Sequence, residues 1–227
     1  QIKADDRPID TWGPPYPCMA DWDADGDLDL ICGELRDRFT YYENIGSRAQ
    51  PRFDSPRPVM TRHGILTIET CMPVPVACDW NHDSLPDLLT GAEDGRISVI
   101  LNLGTSRGSP LFDEEQFLKE HATEIKTGCF ARPWIDPHTR NLFSGNAAGY
   151  LLQFSWRNNH YRNPHKLVSD DQPLRIQAGY NLSIQGPGEK KWGYTVPWLG
   201  DITGDTKPDL VFNSVIGRIE WASLIGP

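Results

Sequence analysis

The sequence predicts an all-β chain, and three observations carry that reading. An aspartate-rich loop, Asp21-Trp22-Asp23-Ala24-Asp25-Gly26-Asp27-Leu28-Asp29, runs straight into the apolar stretch Leu30-Ile31-Cys32. The same loop-plus-strand unit returns from Asp79 and again from Asp201. No segment sustains a helical period, while the stretches behind the loops are rich in aromatic and β-branched residues, which suit a pleated surface.

In the first loop, carboxylates stand at positions 1, 3, 5 and 9 (Asp21, Asp23, Asp25, Asp29), and Gly26 at position 6 permits a sharp reversal. Hard oxygen donors at alternate positions on a tight loop suit Ca2+, which takes about six to eight oxygens in flexible geometry. Position 7, Asp27, would offer its backbone carbonyl. An EF-hand opens the same way but needs a bidentate Glu at position 12. Here position 12 is Cys32, inside an expected strand. The site reads as a calcium loop between two strands.

The second copy places Asp79, Asn81, Asp83, Leu85 (through its carbonyl) and Asp87 at the ligand positions. The last places Asp201, Thr203, Asp205, Lys207 (through its carbonyl) and Asp209 there. Merely solvated turns need no fixed oxygen spacing. Three copies in phase therefore point to metal, with affinity expected to fall from the Asp21 loop to the Asp79 loop to the Asp201 loop as carboxylates are lost.

Counted from Asp21, repeats start 58 residues on at Asp79, 57 further at Asp136 and 65 further at Asp201. A period near 58 fits a four-stranded blade with generous loops. Two copies read in full. Asp29-Leu30-Ile31-Cys32-Gly33 matches Asp87-Leu88-Leu89-Thr90-Gly91, and Phe39-Thr40-Tyr41-Tyr42 matches Ile97-Ser98-Val99-Ile100. Asn44-Ile45-Gly46-Ser47 matches Asn102-Leu103-Gly104-Thr105, and Pro51-Arg52-Phe53-Asp54 matches Pro110-Leu111-Phe112-Asp113.

The third copy departs: Asp136 lies 9 residues before its strand-end Gly145, where Asp21 and Asp79 lie 12 before Gly33 and Gly91. The spare oxygens are gone, so a plain turn without metal is expected, with His138 a surface turn residue.

These D-x-D/N/T-x-D-x-x-x-D loops, the strand after each and the repeat order resemble the FG-GAP/VCBS repeat propellers, the family that includes the integrin alpha-subunit head. The resemblance covers nearly the whole chain. It implies a calcium-binding β-propeller of about four blades in one domain, residues 1–227, read as a segment of a larger propeller of the seven-bladed type. The rival reading closes four blades into a ring, with residues 3–9 ending in Arg7-Pro8-Ile9 much as an outermost strand ends in Arg57-Pro58-Val59.

The formal charge is −9. Three bound Ca2+ ions would add six positive charges and leave −3, so the acidity is largely metal-site chemistry. No basic stripe is available to neutralise phosphates, which argues against nucleic acid. No apolar run approaches the roughly eighteen residues of a membrane span. The five cysteines are an odd number without zinc-like spacing, and Cys18, Cys32 and Cys78 fall in expected strands as small hydrophobes, with a disulfide as the alternative. Carboxylate-rich loops are most useful where calcium is abundant, which favours an extracellular location. With neither an initiator Met nor a leader at Gln1, a processed chain or a fragment is expected.

Calcium in these loops is read as a structural staple, since protein oxygens fill the coordinating positions. Ligand binding is then expected among the loops of the opposite face. Two segments there share W-G-x-x-x-P, with Trp12 and Trp192 each nine residues before an aspartate that opens a repeat. Trp12, Tyr16, His63, His121, Trp192 and Tyr194 are the candidate ligand-binding residues, since Trp and Tyr stack on sugar faces. A wedge between blades is the alternative for the aromatics. For catalysis the pool is His63, Glu69, His121, Arg132, Lys190, Lys191 and Tyr194, with no hydrolase, metalloprotease or phosphate-loop motif. The expected function is a binding module for an extracellular glycan or protein. A polysaccharide-degrading lyase or hydrolase, or an adhesion scaffold, is the alternative.

Overall fold

The structure, a computed structural model, describes residues 2–162, 164–169, 172–175, 195–206, 209–213 and 219–223. Every regular element among them is a β-strand, as the all-β expectation requires. The first sheet joins Tyr16–Ala20, Asp29–Gly33, Phe39–Tyr42 and Arg57–Pro58 in chain order, each antiparallel to the one before. The second joins Val74–Cys78, Asp87–Gly91, Ile97–Ile100 and Gln116–Phe117, and the third Arg132–Ile135, Leu142–Gly145, Leu151–Phe154 and His165–Lys166. The fourth joins, among the described residues, Val196–Gly200, Asp209–Asn213 and Ile219–Ser223. Each of these four sheets is one sequence repeat, and each phase aspartate opens the loop between the first and second strands.

The chain packs as two compact units, Gln1–Glu93 with Ser98–Leu118, and Asp94–Ile97 with Lys119–Pro227. The first holds the first two sheets apart from Ile97, and the second holds the other two.

Because side chains alternate along a strand, each sheet has two distinct faces. In the first sheet Cys18, Ile31 and Tyr41 stand in register on one face, and Met19, Leu30 and Tyr42 on the other. The first set, termed the forward face, joins Phe39 and Trp22 in one core with Leu88, Ile100 and Phe112 of the second repeat. The back face, with Leu30, Cys32 and Tyr42, is covered by Ala4, Ile9 and Phe53. In the second unit Phe143 and Leu151 of the third sheet likewise pack with Leu199, Leu210 and Phe212 of the fourth. Within each unit the forward face of one sheet thus meets the back face of the next. Each large apolar side chain buried there contributes about 1.5–3 kcal/mol.

Close approach at one corner demands glycine. A Cβ on Gly33 would lie 1.9 Å from the Pro73 carbonyl oxygen, and one on Gly145 would lie 1.7 Å from that of Thr195. In both cases the neighbour is the residue that leads into the next sheet.

Short hairpins link these sheets, and the first of them lies in a further four-stranded sheet with Ser109–Phe112 and Asn102–Ser106. Met60–Thr61 pairs with Gly64–Ile65, Lys119–Glu120 with Thr123–Glu124, and Val168–Ser169 with Gln172–Pro173. Lys3–Ala4 with Arg7–Pro8 is a hairpin of the same kind. Phe53 bridges Ala4 in parallel, as Phe112 pairs with Thr61, so the two hairpins are equivalent. This corrects the reading of residues 3–9 as an outermost strand. Arg57–Pro58 is the fourth strand of its sheet, against Thr40 and Tyr41, whereas Arg7–Pro8 is a hairpin arm. A shared Arg-Pro pair is too short to tell one extended role from the other.

Candidate metal centre

One hydrogen-bond skeleton recurs in the three aspartate loops. The position-1 carboxylate takes the backbone N–H groups of positions 5 and 6: Asp21 from Asp25 and Gly26 at 3.0 and 3.1 Å, and Asp79 from Asp83 and Ser84 at 3.1 Å each. Asp201 takes those of Asp205 and Thr206 at 3.1 and 2.8 Å, and that of Gly204 at 2.6 Å. The position-9 carboxylate takes the N–H of position 2: Trp22 to Asp29 at 3.2 Å, Trp80 to Asp87 at 2.8 Å, Ile202 to Asp209 at 3.0 Å. Asp29, Asp87 and Asp209 are buried. Positions 4 and 6 have positive φ in every loop: Ala24 and Gly26, His82 and Ser84, Gly204 and Thr206. Ser84 and Thr206 hold this disfavoured backbone without glycine, at a cost of about 1 kcal/mol or more, secured by their N–H bonds to Asp79 and Asp201.

A second link ties each of the first two loops to its sheet. Asn44 donates its N–H to Asp29 Oδ1 at 2.8 Å, and Asn102 donates its own to Asp87 Oδ1 at 2.7 Å. Asn102 Nδ2 also donates to the Trp22 carbonyl at 3.0 Å, which latches the first loop onto the second repeat. From the sequence, Asn44 and Asn102 are known only as matching positions of the repeat. Their constant distance of 15 residues after the position-9 aspartate was the available signal.

In the first loop Asp21, Asp23 and Asp29 each place one ligand atom within 4.8 Å of the others. Asp23 Oδ1 and Asp27 Oδ1 are buried and accept no hydrogen bond. Asp23 Oδ2 accepts a long hydroxyl bond from Tyr41, at 3.3 Å. Burial, then repulsion from Asp25, raises the carboxyls of Asp23 and Asp27 above the ordinary range. Burial pushes Asp29 up to about 6 against the lowering effect of the Asn44 N–H. Carboxylates crowded out of water with orphaned oxygens fit a hard divalent cation, which would lower all of these values together. Asp27, assigned from the sequence only through its carbonyl, also carries this buried side-chain oxygen, outside the Asp21, Asp23 and Asp29 cluster.

The other loops satisfy themselves to a greater degree. Asn81 spends both ends of its amide on Asp83, donating to Oδ2 at 2.8 Å and accepting the backbone N–H at 3.1 Å. In the last loop Asp209 Oδ2 takes two N–H groups, from Ile202 and Thr203. Lys207 lies outside the described residues.

The Asp136 segment is a tight turn closed on itself. Asp136 accepts the His138 N–H at 2.9 Å and the Thr139 hydroxyl, and its carbonyl accepts the Arg140 N–H at 2.8 Å. Asn141 Oδ1 accepts the Trp156 N–H at 3.0 Å, 15 residues on. Asn141 therefore occupies the position-9 place, with a neutral amide where the other loops carry a charge.

At the opposite end of the first sheet, Trp12 is 64% exposed, with the Arg36 guanidinium 4.4 Å from its ring centroid. The Leu35 N–H donates to the Trp12 carbonyl at 2.9 Å. Trp12, Leu35 and Arg36 thus form one surface patch, of which the sequence reading had Trp12 alone. Tyr16 is half-buried in register with Gly33, and His63 is exposed on a linking hairpin. His121, on the next hairpin, faces the His160 ring at 4.6 Å. Trp192 and Tyr194 lie outside the described residues, as do Lys190 and Lys191 of the catalytic pool. Arg132 is buried within the third sheet. All five cysteines are free, and no helix among the described residues is long and apolar enough to cross a membrane.

Scans against protein-family models and curated proteins give no match. Among solved structures, a chain of the crystal structure of BBS1N in complex with ARL6DN, soaked with mercury, is similar at 12% identity and a TM-score of 0.45. The similarity covers 94% of this chain and 55% of that one, so this chain spans about half its length.

Proposed function

We propose that this chain is a calcium-stabilised β-propeller segment of the FG-GAP/VCBS type, acting as an extracellular binding module with glycan as the favoured ligand and protein as the other candidate. The observation that carries it is the first loop: three carboxylates within ligand distance and two buried oxygens with no hydrogen-bond partner. Asp21, Asp23, Asp27 and Asp29 would hold the ion, whose part is to neutralise the loop and clamp the first two strands. Trp22, fully buried beside Phe112 at 6.0 Å, carries that order into the core.

The metal test is terbium luminescence sensitised by loop tryptophans, run with metal analysis and thermal melts. A ligand bound only to the folded state stabilises it by mass action, so chelator should lower the melting temperature and calcium should displace terbium. An unchanged melt in excess chelator, with no metal bound, would sink the reading.

Trp12 under Arg36 supports the glycan assignment, because an exposed aromatic ring with a cation beside it offers a stacking face and a hydrogen-bond donor. Titration with neutral and acidic oligosaccharides should show binding that Trp12→Ala and Arg36→Ala both weaken. Equal binding in both variants removes glycan and leaves protein.

A further inference from the structure

Two histidines of the second unit stand ring to ring on neighbouring hairpins. His160 opens the return arm of the hairpin that pairs Trp156–Arg157 with His160–Tyr161. Tyr161 anchors that arm: it is buried and meets the Trp156 ring edge-on, with centroids 4.8 Å apart. The Arg140 guanidinium lies 5.1 Å from the Trp156 centroid. His121 sits in the turn between Lys119–Glu120 and Thr123–Glu124 and is exposed. Its ring centroid is 4.6 Å from that of His160, with the two planes 44° apart.

The hydrogen bond of His160 decides which of its nitrogens is left for a ligand. Nδ1 lies 2.8 Å from the Asn158 carbonyl oxygen, which can only accept, so Nδ1 carries the proton. In the neutral ring Nε2 is then an acceptor, and it is buried with no hydrogen-bond partner among the described residues. Metal-binding histidines are commonly held in this way, one nitrogen donating to a backbone carbonyl and the other turned to the ion. A buried acceptor left unmade is costly, and a cation relieves it.

The ring separation says how one ion would be shared. With nitrogen about 2.0–2.1 Å from the metal, each ring centroid stands about 3.2 Å from it. Two such rings about 90° apart have centroids about 4.5 Å apart, against about 5.2 Å for a tetrahedral pair and about 6.4 Å for a trans pair. The 4.6 Å found here is that of the cis pair. Imidazole suits Cu2+, Ni2+ and Zn2+, whereas Ca2+ takes oxygens. We propose that His121 and His160 together bind one divalent transition-metal ion in cis positions, Cu2+ more tightly than Ni2+ or Zn2+, with water completing the coordination on the exposed His121 side.

Calorimetric titration with NiCl2 tests this on the calcium-loaded chain, where calcium already occupies the aspartate loops. Wild type should bind one Ni2+. His121→Ala and His160→Ala should each weaken that binding at least about tenfold, since losing a ligand costs no less than losing a group that orients one. His165→Ala, at an exposed histidine of the third sheet, should bind as wild type does. His121 is exposed, so its replacement should leave the nickel-free melting curve unchanged. Nitrogen NMR of the histidine rings reads the site without any variant: Zn2+ should shift His160 Nε2 while Nδ1 keeps its proton. No nickel bound by wild type overturns the proposal, as does an unmoved His160 Nε2. Binding that survives both alanine substitutions places the ion on thiols or carboxylates instead and overturns it equally.

Discussion

Asp29→Asn separates what a buried carboxylate does for the fold from what it does for a cation. Asp29 is fully buried and accepts the N–H groups of Trp22 and Asn44. Its carboxyl rises from 3.8 to about 6, which corresponds to about 3 kcal/mol against the charged form at neutral pH. Asparagine removes that cost but keeps one acceptor oxygen. One backbone N–H is then left facing an amide NH2, at about 1–3 kcal/mol. In metal-free protein at neutral pH the two effects oppose each other, and the variant should lie within about 1 kcal/mol of wild type. Calcium should break the tie. With the ion about a hundredfold above its dissociation constant, wild type gains about 2.7 kcal/mol, most of which the neutral side chain forgoes. The pH dependence has a definite sign. The native carboxyl holds its proton more tightly than the unfolded one, so this contribution to metal-free stability is greatest below pH 3.8 and declines as pH rises to about 6. The variant should lack that slope. Urea unfolding followed by tryptophan fluorescence across this range, with and without calcium, measures all three quantities. Equal destabilisation in the presence and absence of calcium would refute the reasoning.

Gly145→Ala places a Cβ against the Thr195 carbonyl and should cost about 3 kcal/mol or more. An unfolding midpoint equal to wild type would mean that the corner is not closed. Asp21→Ala should remove one bound ion and Asp136→Ala none, since Asp136 spends its oxygens within its own turn; metal analysis of the two purified variants decides between them. Burial pushes the Cys18 and Cys32 thiols up to about 11 and about 12. Iodoacetamide near neutral pH should therefore modify exposed Cys129 in the native protein and reach the other two only in urea. Native labelling of Cys32 would contradict the packing of the first sheet.

The sequence by itself determined the repeat, the strands and the loops. Each rests on short-range chemistry: alternating oxygens from Asp21 to Asp29, β-branched and aromatic runs behind them, and turn residues at constant offsets. Even the three missing residues after Asp136 were legible, because a backbone ring of fixed length cannot lose three residues and keep its donors. Tertiary structure decided what depends on partners far along the chain. Asn102 reaches back 80 residues to the Trp22 carbonyl, and nothing within either segment announces that bond. Arg7-Pro8 and Arg57-Pro58 are alike locally and differ only in the strand each one meets. The alternation in Val196-Pro197-Trp198-Leu199 shows a two-faced strand, but which face is covered depends on whether another sheet lies against it. Periodicity is a property of one strand, whereas burial is a property of two surfaces.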